Sequence, residues 1–112
     1  MVLAACTSSE LSINEIQNIP SKVQQVIFSD LRLQIIYNGE KGAYIVFHTQ
    51  GTVTAELELT GNMLNIKLEN ESQSNDELKQ HVFKVSYGDS QHDTINIIVN
   101  GQETYFDMAT GI

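Results

Sequence analysis

The amino-acid sequence predicts a mainly β protein: an antiparallel seven-strand meander forming a β-sandwich or a small, partly closed barrel, with one short N-terminal helix. Three observations carry this expectation. From residue 31 onward apolar residues recur at every second position, the period of a strand buried on one face. Gly61-Asn62 and Asn100-Gly101 separate alternating runs in the manner of two-residue hairpin turns, which need residues tolerant of positive φ. A sheet of this size must curl or split to bury its apolar face. The length agrees, because 112 residues, 41% of them apolar, supply one domain with one core.

Taken in order, residues 7–18 read as a polar tether or arm and residues 19–112 as a single β-rich domain. Behind Pro20, Val23, Val26 and Ile27 have i, i+3, i+4 spacing, which predicts an amphipathic helix over 21–28 with Ser21 as its N-cap. Leu31, Leu33, Ile35 and Tyr37 then alternate with Arg32 and Gln34. A five-residue loop, 38–42, leads to Ala43, Ile45 and Phe47. In that register His48 lies across from Arg32 as an exposed residue of the outer face. Val53, Ala55, Leu57 and Leu59 alternate with Thr54, Glu56, Glu58 and Thr60. Closing the Gly61-Asn62 turn pairs Leu59 with Leu64, Leu57 with Ile66, Ala55 with Leu68 and Glu56 with Lys67. Residues 70–80 form a polar, acidic loop, after which Phe83, Val85 and Tyr87 resume the alternation; His81 starts this strand in solvent. Ile95, Ile97 and Val99 precede the Asn100-Gly101 turn, which pairs Ile97 with Thr104 and Ile95 with Phe106.

The inner face thus collects Leu33, Ile35, Ile45, Phe47, Leu57, Leu59, Leu64, Ile66, Leu68, Phe83, Val85, Ile95, Ile97 and Phe106. Ile36, Tyr44, Val46, Val82 and Ile98 fall on the outer face and leave it partly apolar. The helix at 21–28 covers part of this patch. Alternatively Ile36, Tyr44, Val46 and Ile98 form a partner surface, since a large exposed apolar patch marks contact.

Charge and residue types narrow the chemistry. Six basic against fourteen acidic residues give a net charge of −8, which repels nucleic-acid phosphates and anionic lipid headgroups. One cysteine forms neither an internal disulfide nor a multi-cysteine zinc site. Neither a Gly-x-Ser-x-Gly elbow nor a phosphate-cradling Gly-rich loop is present, so no catalytic residue and no cofactor are assigned. Asp89, His92 and Asp93 are the compact cluster of potential metal ligands. They lack EF-hand spacing and read first as turn residues, so no metal is assigned. Glu56 and Glu58 stand about 7 Å apart on one strand face, a glycosidase-like spacing that reads more simply as a solvated face.

Leu3-Ala4-Ala5-Cys6 resembles the lipobox of bacterial lipoproteins, in which the signal peptidase cuts just before a diacylglycerol-modified cysteine. The resemblance implies that residues 1–6 are the remnant of a signal peptide and that Cys6 carries a lipid. It also implies an extracytoplasmic domain anchored in a bacterial cell envelope, with Thr7-Ser8-Ser9-Glu10 as its tether. The order of elements over 19–87, a short helix before a run of strands, is similar to PrcB-like C-terminal domains of a bacterial protease-complex subunit. Gly42-Ala43-Tyr44-Ile45-Val46-Phe47 and residues 65–68 occupy strand positions of that pattern. Together these resemblances imply a noncatalytic module that binds a protein or peptide. An apolar-ligand carrier with a calycin-like barrel and a secreted enzyme or foldase are the alternatives.

Overall fold

The computed structural model describes residues 11–39, 42–72, 77–87 and 92–112. Within them nine strands follow in chain order: β1 (Ser12–Ile16), β2 (Leu33–Tyr37), β3 (Gly42–Gln50), β4 (Thr52–Thr60), β5 (Met63–Glu71), β6 (Leu78–Ser86), β7 (Thr94–Val99), β8 (Gln102–Thr104) and β9 (Met108–Gly111). A single helical turn, α1 (Ser21–Gln24), precedes β2. The first sheet has the order β1-β6-β3-β2-β9 and the second the order β4-β5-β7-β8. The result is sandwich-like and is not a closed barrel, because each sheet keeps two edges.

The seven-strand antiparallel meander is corrected in two respects. Both sheets are mixed: β2 pairs with β9, and β5 with β7, in parallel. Sequence neighbours also leave each other, since β3 pairs with β6 and not with β4. The break lies at Gly51, where φ is +82° and a Cβ would collide with the carbonyl oxygen of Glu71. At this residue the chain passes from the first sheet to the second, so the β4–β5 hairpin is built opposite β3 rather than beside it.

The local registers match the turn chemistry. Leu59 faces Leu64, Leu57 faces Ile66, Ala55 faces Leu68 and Glu56 faces Lys67. Asn100 and Gly101 take positive φ, 52° and 80°, and Ile97 pairs with Thr104. The expected pairing of Ile95 with Phe106 does not form, because β8 ends at Thr104 and the chain turns across to the first sheet. There the Asp107 carboxylate accepts from the backbone N–H groups of Arg32 (3.1 Å) and Leu33 (2.9 Å), and fixes the start of β2.

The main core lies between the sheets and contains Leu33, Ile35, Ile45, Phe47, Leu64, Ile66, Leu68, Phe83, Val85 and Ile97. Leu59, expected inside, is 43% exposed. It sits at the far end of edge strand β4, whereas Leu64 opposite it is flanked on its other side by Ile95 of β7. A second, smaller core covers the outer face of the first sheet, where Ile36, Tyr44, Val46 and Val82 pack beneath Val23. Ile16, Ile19, Val26 and Ile27 complete the cover.

The helix expected over 21–28 is one turn long, starts after Pro20 and receives no side-chain cap from Ser21. Gln34 explains its early end. This buried side chain donates from Nε2 to the Val26 carbonyl (2.7 Å) and accepts at Oε1 from the Phe28 N–H (3.1 Å). Those backbone groups bond to the sheet below and so leave the helical ladder. The arm before Pro20 forms β1, an edge strand along β6 with Ile13 opposite Val85 and Glu15 opposite Phe83.

Candidate functional site

The four residues expected at a partner surface are separated by the fold. Ile36, Tyr44 and Val46 are buried under the α1 segment, which closes that face of the first sheet. Ile98 alone keeps partial exposure, on the outer face of the second sheet. Cys6 and Asp89 lie outside the described residues; His92 and Asp93 lie in the approach to β7.

Alternation along the second sheet determines what surrounds Ile98. One row of outward side chains crosses the four strands as Glu56, Lys67, Ile98 and Glu103. Glu58, Glu69 and Glu71 share this face, so among the described residues five carboxylates accompany one lysine there. The Lys67 ammonium sits 3.1 Å from Glu58 and not on Glu56 directly across the ladder. A groove of about 460 Å³ opens over this row, lined by Thr54, Glu56, Lys67, Glu69, Ile98 and Gly101. Its character is acidic around a small apolar floor. The glycosidase-like spacing of Glu56 and Glu58 therefore belongs to a charged surface strip with Lys67 bridging to one of the two.

A second concave region lies at one end of the sandwich. Tyr37 is the last residue of β2 and Tyr87 follows β6 directly. Both continue the inward-facing rows, opposite Ile95 of β7. With Gly39, His92 and Asp93 they line a cleft of about 290 Å³. Tyr87 is 6% exposed and its hydroxyl has no hydrogen-bond partner among the described residues. Burial, reinforced by Tyr37, pushes this phenol up to about 12. Its ring meets the His92 imidazole edge-on at 4.6 Å. Asp93 accepts at Oδ1 from the Thr94 hydroxyl (3.1 Å), and its N–H donates to the Asn62 carbonyl (2.9 Å). Among the described residues no group of three or more His, Cys, Asp or Glu side chains is placed to hold a metal ion.

The other two histidines are buried, against the expectation that both are solvated. His48 does lie opposite Arg32, whose carbonyl accepts from its backbone N–H at 2.9 Å. Its ring is held by the Leu31 carbonyl at Nδ1 (2.7 Å) and by Gln80 at Nε2 (3.0 Å). His81 faces inward, opposite Phe47. Its Nδ1 is 2.8 Å from the Glu15 carboxylate and its Nε2 is 3.1 Å from the Gly51 carbonyl. Both of these partners are acceptors, so an imidazolium satisfies both and a neutral ring satisfies one. His81 thereby ties edge strand β1 to the crossover between the sheets. Neither set of partners is near its histidine in sequence, which is why residue type alone misplaced them.

The pair Tyr37 and Tyr87 escaped the sequence reading, although one signal was available. Each continues an inward row at the end of the sandwich, where an aromatic body packs on the core, and Tyr37 also reaches solvent. In comparison with known proteins, the chain matches no family model, no curated protein and no solved structure.

Proposed function

We propose that the protein is a bacterial lipoprotein, anchored outside the cytoplasm through Cys6, whose β-domain binds a protein or peptide partner without catalysis. The observation that supports this reading best is the outer face of the second sheet. There Ile98 lies in an open groove flanked by Glu56, Glu69 and Glu103. Such a face suits a basic segment whose apolar side chain seats on Ile98 while its cations meet the carboxylates. The first sheet offers no comparable surface, since its outer face is covered. A carrier of apolar ligands finds less support, because Phe47, Phe83, Leu64 and Ile66 occupy the space between the sheets.

Two experiments test the proposal. Envelope extract passed over the immobilised protein at low and high salt should yield one basic partner at low salt only. Retention should be lost in Ile98→Asp and in the double variant Glu56→Lys, Glu69→Lys. A partner retained equally by all of these proteins, or at both salt levels, overturns the assignment of the surface. For the anchor, metabolic labelling with palmitate should mark the wild type and not Cys6→Ser; equal labelling of the two overturns the lipoprotein reading.

A further inference from the structure

The sequence contains two Asn-Gly steps, Asn38-Gly39 and Asn100-Gly101, and all four residues are exposed. An asparagine before glycine reacts with its own backbone when the geometry permits. The Gly nitrogen, unshielded by a side chain, gives its proton to water and attacks the Asn Cγ, and the side-chain amide leaves as ammonia. Water then opens the resulting five-membered succinimide at either carbonyl and leaves aspartate or isoaspartate. One water is consumed and one ammonia is released, with no change of oxidation state. The side-chain amide must swing over the following backbone nitrogen, so whatever holds it elsewhere slows the reaction.

The two steps differ in that respect. Asn100 and Gly101 form the turn between β7 and β8 with φ of 52° and 80°. Both ends of the Asn100 amide are gripped by Asn70 of β5: its Oδ1 accepts from the Asn70 backbone N–H (2.9 Å), and its Nδ2 donates to the Asn70 Oδ1 (2.8 Å). The Asn100 backbone N–H also donates to the Leu68 carbonyl (2.8 Å), which fixes the turn against β5. Asn70 is anchored in turn, since its Nδ2 donates to the Thr49 hydroxyl (3.4 Å) and the Gln50 carbonyl (3.3 Å). Asn38 follows β2 directly. Its backbone N–H donates to the Gly42 carbonyl (3.0 Å), but its side chain is exposed and has no hydrogen-bond partner among the described residues. We propose that Asn38 is a site of spontaneous deamidation in the folded protein, and that Asn70 withholds Asn100 from the same reaction. The product places a carboxylate beside Tyr37 and adds a negative charge to a chain already at −8. The modification depends on neither the anchor nor the partner proposed above.

The test is incubation of the full chain in warm, mildly alkaline buffer, followed at intervals by peptide mapping in a mass spectrometer and by isoaspartate detection. In the native wild type the mass gain of an amide-to-acid change should accumulate at Asn38. Asn100 should lag by at least about fivefold, the equivalent of one hydrogen bond of about 1 kcal/mol. In urea the two sites should react at similar rates. Asn70→Ala removes the acceptor of the Asn100 Nδ2 and should quicken Asn100 about fivefold while leaving Asn38 unchanged. Asn70→Asp gives up the same contacts to Thr49 and Gln50 but keeps an oxygen facing Asn100, so it should retain the protection. The proposal is overturned if Asn100 reacts as fast as Asn38 in the native protein, or if its lag persists in urea. It is also overturned if Asn70→Ala leaves Asn100 at the wild-type rate or quickens both sites equally, or if Asn70→Asp behaves as Asn70→Ala does.

Discussion

Replacing Tyr87 with Phe should make the folded protein more stable, which is unusual for a change at a residue only 6% exposed. The wild-type hydroxyl is buried without a partner among the described residues, and a buried polar group in that condition costs about 1–3 kcal/mol. Phe keeps the ring, its place beside Val85 in the core and its contact with His92. It leaves behind a space smaller than a methyl group, so the offset from lost packing is small. A net gain of about 1 kcal/mol is expected near pH 7. For a chain of 112 residues that corresponds to a rise of about 4 °C in Tm. The same hydroxyl makes the gain depend on pH. In the folded state the phenol is pushed up from 10.0 to about 12, so the native protein holds this proton more tightly than the unfolded chain does. The associated stability is fully present below pH 10 and is lost as pH rises from 10 toward 12. Effective screening in a protein exceeds that of a dry apolar medium, which reduces that contribution to about 1 kcal/mol. Urea denaturation of both proteins between pH 7 and pH 12 measures the effect as a difference, which cancels the titration of the other tyrosines. The gap in favour of Phe should be about 1 kcal/mol at pH 7 and about twice that near pH 12. A Tyr87→Phe protein less stable than wild type at pH 7 would refute the reasoning, because the hydroxyl would then have a partner in the folded state.

Three further outcomes follow from the fold. Gly51→Ala should destabilise the protein by at least about 2 kcal/mol in urea denaturation, since the left-handed φ of +82° is costly for alanine and its Cβ meets the Glu71 carbonyl. Val23→Ala should cost about 2 kcal/mol by the same measurement, because Val23 is fully buried in the cover over Ile36 and Val46. Glu15→Gln removes the charged partner of His81 and should cost about 1 kcal/mol. Hydrogen exchange should then quicken along β1 while the β2–β3 pair keeps its protection.

Much of the strand structure was legible because the signals for it are local. A side chain's face follows from its parity, and a two-residue turn of known type then fixes the register of a whole hairpin. This is why the pairs from Ala55–Leu68 to Leu59–Leu64 emerge from Gly61-Asn62 alone. Parity does not say which strands become neighbours. Placing β6 beside β3 requires knowing that the chain changes sheets at Gly51, and the sequence marks that place only with a Gly after Gln50. The edge strand β1 was hidden for a related reason. Ile13 packs into the main core and Ile16 into the smaller one, so its apolar residues do not keep to one parity. The buried histidines fail differently. Polar residues are predicted at the surface by default, and only partners distant in sequence, Gln80 for His48 and Glu15 for His81, allow these two inside.

The two sheets differ in a way that decides where function can reside. Strands β2, β3 and β6 are apolar on both faces, and the segment from Ile19 to Ile27 answers the outer one. Gln34 secures that cover with two hydrogen bonds, so opening the face would expose Ile36, Tyr44 and Val46 and also break those bonds. A partner surface there would compete with the protein's own packing. In the second sheet the outward residues from β4 to β8 are polar apart from Met63 at the start of β5, no chain segment is needed over them, and Ile98 is the aliphatic exception at their centre. The same logic holds at the ends of the sandwich. A terminus of an inner row needs either a chain segment above it or a polar tip that tolerates water, and Tyr37, 38% exposed, supplies the second solution. Among the described residues, the open face that folding leaves without a cover is the acidic row around Ile98.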